Sequence, residues 1–520
     1  MGDTQIGLIG RIIFVASLAC ILLCAATGFA DIKLPAVISD NMVIQRGMKV
    51  PIWGWAEPGE KVIVGGSWQC HAWQAVAGKD GKWMVEIDPP GRTGGPFEIA
   101  VIGRNTITIK NILVGEVWVA SGQSNMEWSV ARSAKAEQEI ASANYPHIRL
   151  FKVEKTFADA PQEDCKGSWS GCSSETVPGF SAVAYFFGRE LHQELSVPVG
   201  VIQTSWGGTP AEAWTRHEVL AGEPQLKPIV DRFEQAWSDY LQKMDDYTGK
   251  LCDWLSAARQ AREGCEATPE EPEKPRSPRR QKAPSQLYNS MIAPLIPYGI
   301  KGAIWYQGES NVDRAYQYRR LFPAMIENWR RDWGQGDFPF YFVQLAPFKY
   351  GKEFAGAELR EAQLMALSLP NTGMAVTMDI GDVDDIHPKN KQDVGKRLAL
   401  WALAKTYARE TVVCSGPIYK SMRVEADRIR LFFDYVGSGL VSKTGELTHF
   451  TIAAEDRRFV GAKAVIDGDT IIVSADEVKK PVAVRFAWSN AAVPNLFNEQ
   501  GLPASSFRTD DWPGATVDEK

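Results

Sequence analysis

A serine hydroxyl is a poor nucleophile until a neighbouring base takes its proton. Ser124 lies in Ser121-Gly122-Gln123-Ser124-Asn125-Met126, directly after the apolar run Val117-Trp118-Val119-Ala120. A strand that ends in a glycine turn displays the small polar side chain that follows it. Gly-x-Ser strings are also ordinary turns, so the partners decide. The chain has six histidines. His71 and His449 fall in β-rich end regions, His192 on the polar side of a predicted helix and His147 in a loop. His217 and His387 follow strand-end segments, and His387 alone has carboxylates two and three positions before it, Asp385 and Asp384. A carboxylate so placed orients an imidazole base and stabilises its cation.

Acyl transfer through a serine also needs donors for the developing oxyanion, each able to lower the barrier by about 3–4 kcal/mol. Two more strand-end segments offer them. Thr204-Ser205-Trp206-Gly207-Gly208-Thr209-Pro210 carries paired glycines whose backbone N–H groups can approach a ligand, and Trp305-Tyr306-Gln307-Gly308-Glu309-Ser310-Asn311 carries the amides of Gln307 and Asn311. Gln123, Asn125 and Glu309 in these segments are candidate substrate contacts. Trp128 and Trp206 are candidate stacking platforms for a sugar ring. Trp118, Trp214 and Trp305, also close by, are weaker ones.

No metal or cofactor is expected. His-x-His and His-x-x-x-His are absent, which removes the usual zinc spacings. The acidic string Asp379, Asp382, Asp384, Asp385 lacks the spacing of an EF-hand loop.

The elements that must hold these residues follow from periodicity. The apolar runs Glu116–Ala120, Val199–Thr204, Gly302–Tyr306, Phe340–Leu345 and Met374–Met378 read as buried strands. They alternate with helical patterns at Ala182–Glu194, Ala315–Trp333 and Asp393–Tyr407. That alternation predicts a mostly parallel α/β sheet over 111–414, with ligands beyond the C-terminal strand ends. Residues 31–110 alternate apolar and polar positions between turn signals and read as a small β-sandwich. Residues 415–520 return to β, with strands at Arg428–Phe433 and Thr470–Val473 and a hairpin signal at Asp467-Gly468. An insertion at 222–287 is helical from Ile229 to Arg262, then a flexible Pro- and charge-rich loop from Pro269 to Pro284.

Composition narrows the class. The 520 residues are 45% hydrophobic and 23% charged with net charge −6, a globular make-up with no basic stripe for nucleic acid. Residues 1–30 read as a signal peptide. Arg11 precedes the apolar run Ile12–Leu23, and small residues lead to Ala30. The run is short for a span of ~20 residues, so cleavage after Ala30, export to the periplasm or medium, and no lasting membrane insertion are expected. Eight cysteines less Cys20 and Cys24 leave six. Oxidation is open to them, with Cys165–Cys172 the first expected pair and Cys252–Cys265 the second.

Four ordered blocks then resemble the sialate O-acetylesterases: Gly115–Met126, Gln203–Trp214, Trp305–Asn311 and Asp385-Ile386-His387-Pro388. The similarity runs from about residue 33 to 510, less the insertion. The resemblance fixes the register on Ser124 rather than Ser121. It implies a flavodoxin-like three-layer SGNH-hydrolase domain and cleavage of acetyl esters on sugar hydroxyls, with an O-acetylated sugar as partner and no cofactor. Ser124 would attack and lend its own N–H to the oxyanion. Gly207 or Gly208 would give a second donor and Gln307 or Asn311 a third. His387 would be the base. The wider superfamily pattern points to Asp384 as its carboxylate, the sialate esterase pattern to Asp385. Acetylesterases of plant polysaccharide such as xylan or pectin, and a sugar-binding protein on the same scaffold, are the alternatives.

Overall fold

In a computed structural model, which describes residues 31–519, one long strand joins the first two regions. This strand, β1 (Thr106–Gly122), has 17 residues. Its N-terminal half pairs antiparallel with Gly94–Ile102 in the leading β-region. Its C-terminal half is the middle of the α/β sheet. The expected junction at 110–111 therefore falls inside a continuous strand, which ties the β-region to the turn that carries Ser124. The leader at 1–30 lies outside the described residues.

The central sheet adds β2 (Tyr145–Lys152), β3 (Trp169–Cys172), β4 (Val199–Ser205), β5 (Gly302–Tyr306), β6 (Phe340–Val343) and β7 (Thr372–Ala375). Their order is β7-β6-β5-β1-β4-β2-β3. Neighbours are parallel except β3, which returns antiparallel along β2. Apolar β-branched and aromatic runs suit strands covered on both faces.

Helices cover both faces. On one, Trp118 of β1 meets Phe187 of α2 (Ala182–Leu195), and Tyr341 of β6 meets Trp401 of α6 (Lys391–Trp401). On the other, Trp305 of β5 stacks on Phe322 of α4 (Ala315–Trp333), and α5 (Ala355–Met365) packs beside α4. Trp118, Trp214, Trp305 and Trp329 are fully buried. At roughly 1.5–3 kcal/mol for burying a large apolar side chain, these rings serve the core. Trp118, Trp214 and Trp305 are thereby corrected as sugar platforms.

The insertion holds α3 (Lys227–Glu263), a 37-residue helix with only Ile229, Val230 and Ala261 buried. Residues 269–277 have no regular secondary structure. Beyond 415, Arg428–Asp434 pairs antiparallel with Thr470–Ser474, and Asp467-Gly468 turns the chain between Lys463–Asp467 and that strand. Fully buried Arg360 of α5 fastens this last region to the α/β layers. Its guanidinium donates to Ser506 Oγ at 3.1 Å and to the carbonyls of Ala487 and Ser489.

Both expected disulfides are corrected: all six described cysteines are free thiols. The chain from Lys166 to Cys172 runs extended along β2, with the Glu154 N–H donating to the Lys166 carbonyl and Cys172 opposite Tyr145. Seven extended residues put Cys165 and Cys172 about 20 Å apart, whereas a disulfide holds Cα atoms within about 7 Å. Burial pushes both thiols up to about 12. Cys252 lies inside α3 and Cys265 beyond its end, about 16 Å or more along the helix axis.

Candidate active site

The registers bring three of the four segments to one edge. Ser205 of β4 and Tyr306 of β5 both pair with Gly122 of β1, so three parallel strands end flush. Gly122 is held at φ +137°, and a Cβ there would lie 2.2 Å from the Tyr306 carbonyl oxygen. Only glycine fits. The chain then turns into α1 (Ser124–Glu127), one helical turn that begins on the serine. The fourth segment follows β7 and returns over this edge ahead of α6.

Ser124 Oγ lies 2.8 Å from His387 Nε2. The two residues are 263 positions apart and both half-buried. Burial lowers the His387 pKa from the ordinary histidine value, and the charges of Lys391 and Arg132 lower it further against the opposing pull of Asp385. The imidazole is therefore neutral at neutral pH, the form that accepts a proton. Its ring stacks on Trp128 with centroids 5.0 Å apart.

The two aspartates separate. Asp385 Oδ1 accepts the backbone N–H of His387 at 2.9 Å and stands 3.7 Å from Nδ1. Asp384 is exposed and pairs with Lys349 at 2.5 Å. Asp379 takes a two-pronged contact from Arg397 at 2.6 and 2.8 Å, so Asp379 and Asp384 are held by separate cations.

Several expected donors and contacts are committed elsewhere. The Gly207 N–H donates to Glu127 Oε2 at 2.6 Å, although Gly207 does lie against Ser124: a Cβ there would be 3.3 Å from Ser124 Cβ. A Cβ on Gly208 would meet only Lys282. Gln307 is fully buried and donates to Asn311 Oδ1 at 2.6 Å and the Thr209 carbonyl at 3.3 Å, which uses both amide protons. Asn311, also buried, donates to Glu212 at 2.8 Å. Gln307 is thus corrected from oxyanion donor to scaffold, and Asn311 is built into the same network. Gln123 is buried and accepts the Ser310 N–H at 3.2 Å. Asn125 is buried between Glu309 and Lys391. Both are corrected from substrate contacts to struts, and the Glu309 carboxylate is turned onto Asn125. Trp128 is covered by His387 and by Arg132, whose guanidinium carbon is 3.6 Å from the ring centre. It is corrected from sugar platform to backing for the His387 ring. Trp206 stays half-buried at the rim, with Lys155 near its ring.

This arrangement is a serine with a neutral imidazole in contact, a carboxylate nearby and a free helix-start N–H on the serine: among the described residues, no acceptor takes the Ser124 N–H. A family model for carbohydrate esterases of the sialic acid-specific acetylesterase type matches residues 114–248 and 278–404. The chain belongs to that family. The gap in the match, 249–277, falls in the insertion. The sialate O-acetylesterase of Homo sapiens is 30% identical over 94% of this chain and 95% of its own length. That of Mus musculus is 29% identical over 89% and 90%. A carbohydrate acetylesterase from Xanthomonas citri, known from its crystal structure, superposes with a TM-score of 0.78 at 36% identity, over 93% of this chain and all of that one.

Two residues of this candidate site escaped sequence reasoning. Glu127 sits on the Gly207 N–H and pairs with Lys155. Lys391 is buried behind His387. The second left a signal: a lysine opening a helix sits at the wrong end of the helix dipole.

Proposed function

We propose that this carbohydrate O-acetylesterase works through a serine acetyl-enzyme and takes O-acetylated sialic acids first. The contact between Ser124 Oγ and His387 Nε2 carries the reading. Ser124 attacks the acetyl carbonyl as its proton passes to His387. The Ser124 N–H, at the start of α1, faces the developing oxyanion. Collapse of the tetrahedral intermediate expels the sugar oxygen, which His387 protonates. Water, deprotonated by His387, then attacks the acetyl-enzyme and releases acetate. The parallel order and the placement of Ser124 after the central strand support a flavodoxin-like SGNH domain. Export on the 1–30 leader belongs to the same proposal, and N-terminal sequencing of the mature protein is expected to begin at Asp31.

The sugar follows from charge. Exposed Arg132 lies beside His387 and over Trp128, the sign a sialate carboxylate would meet. Acetate release from O-acetylated sialic acid, acetylxylan and acetylated pectin tests this. Sialate should show the highest kcat/KM. Arg132→Met should lower it about 10-fold or more on sialate, as for a lost charge-assisted contact, and leave p-nitrophenyl acetate within about two-fold. A preference for acetylxylan or pectin with Arg132→Met silent would select the plant-polysaccharide reading.

A further inference from the structure

Behind the reacting pair lies a group the serine–imidazole chemistry does not use. Lys391 is fully buried at the first position of α6. Its Nζ donates to Asn125 Oδ1 at 2.5 Å. The amide nitrogen of Asn125 donates to Glu309 Oε1 at 2.5 Å and to the carbonyl of Ile386 at 2.9 Å. One side chain, adjacent in sequence to Ser124, therefore joins three segments: the turn after β1, the loop after β5 and the residue immediately before His387. Part of Glu309 reaches the surface, yet its Oε2 is sealed from solvent and has no partner among the described residues.

A lysine is an odd choice here on local grounds. A buried ammonium is costly unless paired, and a cation opposes the dipole at a helix start. Leucine or methionine would fill the same space without either cost. Such a conflict between local preference and the residue found is expected where function imposes it. Asparagine at 125 is equally specific, because it must accept from Lys391 and donate to Ile386 at once.

We propose that Lys391, acting through Asn125, is a positioning residue that locks the His387 segment onto the Ser124 turn. The proposal rests on the serine–histidine reading above. It assigns Lys391 no contact with substrate. Its second effect is electrostatic. The charged groups that face Lys391 and His387 are Glu309, Asp385 and Arg132. Burial brings Lys391 down to about 7, against the upward pull of Glu309 and Asp385, and the positive charge of Lys391 in turn lowers His387. Loss of that charge moves the acid limb of the activity profile upward.

Lys391→Met tests this beside Glu309→Gln/Lys391→Met, in which no carboxylate is left stranded. The wild type and Ser124→Ala come first: an inactive wild type, or an active Ser124→Ala, sinks the serine reading itself. Given that reading, Lys391→Met should lower kcat about 10- to 100-fold with KM nearly unchanged, and should raise the apparent pKa of the acid limb of kcat/KM. The double variant should recover melting temperature but not kcat, and its acid limb should still lie above that of the wild type. Wild-type kcat and acid limb in Lys391→Met overturn the proposal. So does activity that returns with melting temperature in the double variant, or failure of both variants to fold, since Lys391 is then a stability residue.

Discussion

Ser124→Ala is expected to lower acetate release by roughly 10³- to 10⁶-fold, and His387→Ala by a similar factor. The double variant should be no slower than the slower single one. In the proposed mechanism serine and imidazole, 2.8 Å apart, act as a unit: without the base the hydroxyl is not deprotonated, and without the hydroxyl the base has nothing to activate. A loss of 10³ corresponds to about 4 kcal/mol of barrier, far more than one half-buried hydrogen bond contributes to folding, so the variants should melt close to the wild type. Residual hydrolysis of p-nitrophenyl acetate by purified protein is the readout. Ser124→Ala at the wild-type rate would remove the serine mechanism altogether. Losses that multiply in the double variant would show that the two residues act in separate steps.

The surroundings explain why this serine and not another is poised. Ser121, the first residue after the apolar run, is fully buried and donates to the Thr204 carbonyl at 2.6 Å; it seals the strand ends. Ser124, past the glycine, is the first side chain turned outward. The histidine opposite it is backed by Trp128, which covers one ring face, and burial lowers its pKa. The base is consequently neutral to a more acid pH than an ordinary histidine, and activity should hold to below the usual histidine range before it falls.

Much of this was legible along the chain. The strands at 199–205 and 302–306 and the helices at 182–195 and 315–333 follow from runs that are apolar on both strand faces or on one helix face. The four polar segments stood out because each interrupts such a run. Strand β2 was missed because Pro146 and His147 open it and Arg149 interrupts its apolar residues, although Arg149 is buried against Asn41 and Asn111. Strand β3 was missed because four residues, Trp169-Ser170-Gly171-Cys172, carry too little pattern, and the same gap let two distant cysteines look like a pair. Side-chain roles were the least legible. Gln123, Asn125, Gln307 and Glu309 are polar residues at strand ends, the composition of a binding site, yet three dimensions turn them toward one another. Sequence shows which polar residues gather at an edge. It does not show which of them hydrogen-bond inward.

The carboxylate is where sequence left two choices and where substitution should separate them. Asp385→Asn is expected to lower kcat by about 10²- to 10⁴-fold, and Asp384→Asn to stay within about two-fold. Asp384 is an exposed partner of Lys349, and such surface pairs contribute only about 0–1 kcal/mol. Asp385 already holds the His387 segment through the backbone N–H at 2.9 Å. Its 3.7 Å separation from Nδ1 is too long for a hydrogen bond, but catalytic contacts commonly tighten when substrate closes the site, and a movement of under about 1 Å completes this one. Asparagine is the right probe because it keeps a carbonyl oxygen for the His387 N–H, so the loop stays in place while the negative charge is lost. The imidazolium formed as Ser124 attacks then has no counter-charge, and the wrong ring tautomer is no longer excluded. Steady-state kinetics on both variants, with melting temperatures as control, decide the matter. A large loss in Asp384→Asn with Asp385→Asn intact would mean that the segment rearranges and that Lys349 surrenders its partner during turnover.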